Sequence, residues 1–181
     1  MQTYAGSDDK VFRDAVQELH NGDFSRLAPV FEDKGASADG RPQLIAWHQE
    51  GRFRDDPKAL AEALTCACFL GQTDVAKHLL SHGVDPSDGA GTGMNAFHWA
   101  ANRGQLEAVR LLIQSKASFE SRTMYGGNVL DTAVWSAINE PREDHLQIIE
   151  ELLGAGARLD SEKWPTGHDK IDAVLERHLN R

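Results

Sequence analysis

Apolar residues recur at helical spacing through most of the chain, and glycines break the pattern at regular places. Leu106, Val109, Leu112 and Ile113 mark one face of a helix, and the run His145-Leu-Gln-Ile-Ile-Glu-Glu-Leu-Leu153 repeats that face. Ile171, Val174, Leu175 and Leu179 give the same spacing near the C-terminus. Before the first of these runs, Asn95 to Arg103 carries the small pair Ala100 and Ala101, which lets one helix lie close to its neighbour, and Gly104 supplies a turn. Gly83 and Gly156 stand just beyond Leu-Leu pairs, where a helix ends and the chain reverses. The pattern predicts a unit made of helix, glycine turn, helix and loop.

The unit repeats. Sliding Leu64 to Asp85 by 33 positions lays it on Phe97 to Ser118: Leu64 meets Phe97, Ala67 meets Ala100, Gly71 meets Gly104, Leu79 meets Leu112 and Leu80 meets Ile113. A second slide brings in Leu130 and Ala133, after which the register resumes only if seven extra residues are allowed around Ser136 to Asp144. Asn95-Ala-Phe-His-Trp-Ala-Ala-Asn-Arg-Gly104 resembles the Thr-Pro-Leu-His-x-Ala-Ala-x-x-Gly signature of the ankyrin-repeat family, and Gln105 to Ile113 resembles its second helix. The resemblance implies an all-α ankyrin-repeat solenoid of stacked helix-turn-helix units with short hairpin loops.

The expected organisation is one repeat domain. A degenerate N-terminal unit covers about 9–39, an irregular helical segment 40–56, three repeats about 57–89, 90–122 and 123–162, and a C-terminal capping helix 163–181. The segment Pro42 to Glu50 reads as one helix, started by Pro42 and stopped by Gly51. Within the third repeat, Pro141 argues against a simple helical extension through 136–144, so the insertion is expected to lengthen the connection between two helices. No unit keeps the Thr-Pro pair: Glu62-Ala63, Asn95-Ala96 and Asn128-Val129 stand there, and Lys116 replaces a loop glycine. These departures leave the capping hydrogen bonds of the individual turns open while the stacking stands.

Composition narrows the function classes. The 181 residues carry 19 Lys plus Arg against 28 Asp plus Glu, a formal charge of -9 that disfavours nucleic acid and anionic membrane as partners. Two cysteines, Cys66 and Cys68, support neither a disulfide framework nor a four-thiolate site and fit a reducing compartment. The N-terminus lacks the basic start and apolar stretch of a signal peptide, so a cytoplasmic protein is expected.

Candidate chemistry is thin. Stacking turns sequence columns into lines of neighbours, and one column reads Thr65, His98, Asp131, of which only the His98–Asp131 pair is within reach for base chemistry. The family resemblance implies instead that this His bridges backbone groups of adjoining turns. Asp88-Gly-Ala-Gly-Thr-Gly93 meets neither dinucleotide nor P-loop spacing. His78 and His82 stand at i, i+4, yet no third ligand lies near in sequence, so neither metal nor cofactor is expected.

The resemblance implies that the two residues before the inter-helix glycine and those at the hairpin tips are exposed on the concave side. Those columns read Phe69, Asn102, Trp135 and Leu70, Arg103, Ser136, and the tips offer Thr92, Met94, Arg122, Met124 and Tyr125. Aromatics with arginine are what partner-binding surfaces concentrate, so the leading expectation is a protein-interaction module with a cytoplasmic protein partner. Trp99 is expected to be packing. The alternative is a small-molecule site or unusual enzyme in the same concavity, built from Trp135, His98 and Asp131, which would need the insertion or the Trp47-His48 segment to close a pocket.

Overall fold

The computed structural model describes residues 4–32, 40–158 and 164–179, and among them every regular element is helical. In chain order these are α1 (Tyr4–Asn21), a 3-10 turn (Phe24–Arg26), α2 (Ala28–Phe31), α3 (Gln43–Gln49), α4 (Pro57–Leu70), α5 (Thr73–Ser81), α6 (Ala96–Asn102), α7 (Leu106–Gln114), α8 (Val129–Asn139), α9 (His145–Gly154) and α10 (Asp169–Leu179). Helices α4, α6 and α8 pack in one row, and α5, α7 and α9 in a second row behind it, each against the helix of its own unit and the next in its row. Helix α1 covers α4 at one end and α10 covers α9 at the other. Parts of the expected N-terminal unit (33–39), third repeat (159–162) and capping helix (163 and 180–181) lie outside the described residues.

The small residues of the front row make this spacing possible. Ala63, Ala67, Ala100, Ala101 and Ala133 are all buried, and Leu64, Phe97 and Leu130 are buried with them in one core. Segment 40–56, which matches no repeat, is absorbed into the N-terminal core. Its Trp47 is fully buried, Phe12 meets Trp47 and Phe53 edge-on at 5.2 Å each, and Arg52 lies over the Phe12 ring at 4.2 Å. Asp8 accepts from Trp47 Nε1 at 3.2 Å and pairs with Arg52, tying α1 to this segment.

The missing Thr-Pro caps are replaced one by one. Asn95 caps α6, its Oδ1 accepting from the Phe97 and His98 amides at 3.1 Å, and Asn128 caps α8, accepting from the Asp131 amide at 2.8 Å. In α8 the box is closed by Asp131, whose carboxylate accepts from the Asn128 amide at 3.0 Å. Helix α4 starts six residues before Ala63, at Pro57, with Asp56 accepting from the Ala59 amide at 3.0 Å. Lys116, where a glycine was expected, takes φ 57, the left-handed turn that a glycine makes without strain.

The insertion corrects the expectation drawn from Pro141. Helix α8 has 11 residues against 7 in α6, so the inserted chain first continues the helix to Asn139 and turns only at Glu140. Pro141 comes after that C-cap, where it interrupts no helical hydrogen bond.

Starting α4 early places Glu62 inside the helix, where it is 1% exposed. Its Oε1 accepts from the Gly91 amide at 2.7 Å, while Oε2 is buried with no partner among the described residues. Burial pushes this carboxyl up from its ordinary value, against the pull of the Gly91 bond and of the Lys58 and His20 charges. The folded chain therefore holds this proton to higher pH than the unfolded chain. The resulting stability is full below the unfolded pKa, about 4.3, and is lost as pH rises through the folded one. Glu62→Gln keeps the acceptor for Gly91 and removes the charge. In urea titrations it should exceed the wild type in stability at pH 7, with the gap closing toward pH 4; a variant weaker at pH 7 would show that the charged form is the stabilising one.

Candidate functional site

The front row and the hairpin tips enclose an open hollow of about 1140 Å³. Phe69 of α4, Trp99, Asn102 and Arg103 at the end of α6, and Asp131, Thr132, Val134, Trp135 and Ile138 of α8 line it. The tips contribute Met94, Thr123 and Tyr125 to Gly127, the insertion contributes Glu140, and Pro165-Thr166 close one edge.

An aromatic row holds the hollow's α4–α6 side. Phe24 meets Phe69 edge-on at 5.7 Å and Phe69 meets Trp99 at 5.1 Å, while Trp99 Nε1 donates to Thr92 Oγ1 at 2.8 Å. The Arg103 guanidinium lies over the Phe69 ring at 4.7 Å, and its Nε is buried without a partner among the described residues. Burial, with the Arg142 charge beside it, pulls the Arg103 pKa below the usual guanidinium value, against Glu140. On the α8 side Trp135 is 52% exposed. The tips are bonded to each other, the Met124 amide donating to the Gly93 carbonyl at 3.0 Å. Tyr125 at 84% and Met124 at 70% exposure stand out from them. Among the described residues, these two with Trp135 and Val11 are the exposed large hydrophobics, and two of the four, Tyr125 and Trp135, line the hollow.

Of the residues singled out from sequence, Phe69, Met94, Asn102, Arg103, Asp131, Tyr125 and Trp135 meet at the hollow. Others do not. Leu70 packs against the core, and Arg122 is exposed but turned onto its own hairpin, donating to the Gly126 carbonyl at 2.6 Å. Asn102 and Ser136 were expected in solvent and are instead buried, Asn102 Nδ2 donating to Ser136 Oγ at 2.9 Å. A polar pair between α6 and α8 satisfies itself there, which a column of sequence positions does not display.

His98 is buried at 1% exposure, with both ring nitrogens occupied. Nε2 donates to the Ser121 carbonyl at 3.0 Å, and Nδ1 turns back to the Asn95 amide at 3.4 Å. Thr65, one unit earlier in the column, donates to the Gly89 carbonyl at 2.7 Å. His98 and Thr65 thus brace the following loop, and His98 offers no free nitrogen to the hollow. His145 does the same across the inserted turn, accepting from the Arg142 amide at 3.0 Å and donating to the Asn102 carbonyl at 3.1 Å. Burial lowers the pKa of both imidazoles.

Sequence reasoning missed Ile138, Glu140 and the Pro165-Thr166 edge, while Trp99 packs against the core as expected and also lines the hollow. Ile138 stands one turn after Trp135, a signal that became visible only once α8 was known to run past Ser136. The Trp47-His48 segment lies away from the hollow, in the N-terminal core and against α5, so it closes no pocket. Among the described residues, no three His, Cys, Asp or Glu side chains converge on this hollow to hold a metal, and no helix is long and apolar enough to cross a membrane.

The model of the family described as "Ankyrin repeats (3 copies)" matches residues 63–163. Protein phosphatase 1 regulatory subunit 12A of Mus musculus is 30% identical over 136 residues, which is 74% of this chain and 12% of that protein. An L-asparaginase of Dirofilaria immitis is 34% identical over 102 residues, 56% of this chain and 16% of that protein. The chain thus spans under a fifth of the length of either relative. A crystal structure of an ankyrin-repeat protein superposes with a TM-score of 0.56 at 17% identity, covering 90% of this chain and 96% of that one.

Proposed function

Because the chain belongs to the ankyrin-repeat family, whose repeats serve as protein-interaction modules, we propose that it binds a segment of a cytoplasmic protein partner on its concave face, in the hollow between α6, α8 and the hairpin tips. The observation that carries this reading is the meeting of Trp135 and Tyr125, two of the four exposed large hydrophobics among the described residues, at the hollow. An apolar side chain of the partner fills the space between Trp99, Trp135 and Ile138, and a partner carboxylate meets the Arg103 guanidinium at the hollow's wall. The hollow is open across several units, which suits an extended peptide better than a small molecule that must lose most of its surface to solvent. The test is selection of a displayed random-peptide library on the immobilised chain. Enriched sequences should share an apolar residue near an acidic one; a selection that yields no saturable binder would overturn the reading.

A further inference from the structure

The histidine pair at the end of α5 has a third member that the sequence separates from it by thirty residues. His48, in the last turn of α3, sets its Nδ1 2.9 Å from His78 Nε2. Its ring also stands edge-on to His82, with centroids 5.2 Å apart, while His78 and His82 lie 4.3 Å apart. One ligand nitrogen from each of the three lies within 4.8 Å of the others. From these positions we infer that His48, His78 and His82 form a binding site for a zinc-class divalent cation, which staples α3 to α5.

The chemistry agrees at four points. Tetrahedral zinc with Zn–N bonds of about 2.0 to 2.1 Å needs ligand nitrogens roughly 3.4 Å apart. The observed contacts, 2.9 Å between His48 Nδ1 and His78 Nε2 and at most 4.8 Å to the third ligand nitrogen, bracket that spacing. His82 Nδ1 donates to the His78 carbonyl at 2.8 Å, which fixes the tautomer and leaves Nε2 with its lone pair free, as second-shell bonds do for metal-binding histidines. Both helices end at this point, and their last carbonyls favour a cation. Burial, with the His82 charge beside them, shifts the pKa values of His48 and His78 down, toward the neutral form that binds metal. Arg41, whose charge reaches His78, is bonded to Gln49. Three protein ligands leave the fourth position of the cation to water. The ion would join the segment that no repeat accounts for to the outer row of the array.

The site is tested on the untagged full chain, stripped with a chelator and titrated calorimetrically with zinc chloride. The expected result is saturable uptake of one equivalent and a higher melting temperature with zinc in excess. His48→Ala and His82→Ala should each weaken binding by at least about tenfold. The exposed His82→Ala should melt with the wild type in metal-free buffer, which separates loss of a ligand from loss of fold. Cobalt in place of zinc should give the intense visible band of a tetrahedral complex. Absence of saturable uptake, or His48→Ala binding zinc as the wild type does, would overturn the proposal.

Discussion

Phe97→Asp should leave the protein largely unfolded at room temperature, whereas Arg103→Ala should melt close to the wild type. Phe97 is 1% exposed at the N-terminal end of α6, the central helix of the front row, which packs on α4 on one side and α8 on the other. Removing a buried Phe costs about 3 to 5 kcal/mol, and an unpaired carboxylate in its place adds several more. Domains of this size are stable by only about 5 to 15 kcal/mol. In a solenoid the damage also spreads, because each unit is held by its neighbours and the middle one couples the two ends. Arg103 is half-buried beside the hollow, and its truncation loses one stacking contact with Phe69, worth about 1 to 2 kcal/mol. Thermal melts followed by circular dichroism separate the two variants, and equal midpoints would mean that the register of the repeat is misplaced.

The register was legible in the sequence because its columns are apolar and small: Leu64, Phe97 and Leu130, or Ala67, Ala100 and Ala133, repeat at 33 residues and all prove buried. Burial of such residues is set by packing alone, and periodicity reports it directly. Polar positions carry no such guarantee. Asn102 shares a column with Phe69 and Trp135, yet it is buried because the Ser136 hydroxyl on the next helix satisfies it. The site residues on α8 were half hidden for a related reason. Pro141 reads as a helix breaker, but the helix reaches Asn139 first, and that extra turn puts Ile138 beside Trp135. His48 escaped because its partners His78 and His82 are joined to it by the fold of an unrepeated segment, for which the sequence has no register to read.

Trp135→Ala should weaken binding of a selected peptide by about 2 kcal/mol or more, roughly 30-fold in Kd, while changing folding stability by less than about 1 kcal/mol. The small folding effect follows from exposure, since half of the indole already stands in solvent and its backbone carbonyl keeps the Asn139 Nδ2 bond at 2.8 Å whatever the side chain. The large binding effect follows from position, because the same indole walls the hollow beside Ile138 and faces the tips. Lys77→Ala, on the outer row, is the control and should leave Kd unchanged. A variant that unfolds would place Trp135 in the core of the insertion, and the binding surface would then fall to the tips.

The claim that the concave face receives the partner is tested most directly by hydrogen exchange on the peptide-saturated chain. Protection should rise at 92–94, 123–127 and 131–140, the segments that face the hollow, and stay unchanged along α5 and α7. Protection confined to α5, α7 and α9 would contradict it.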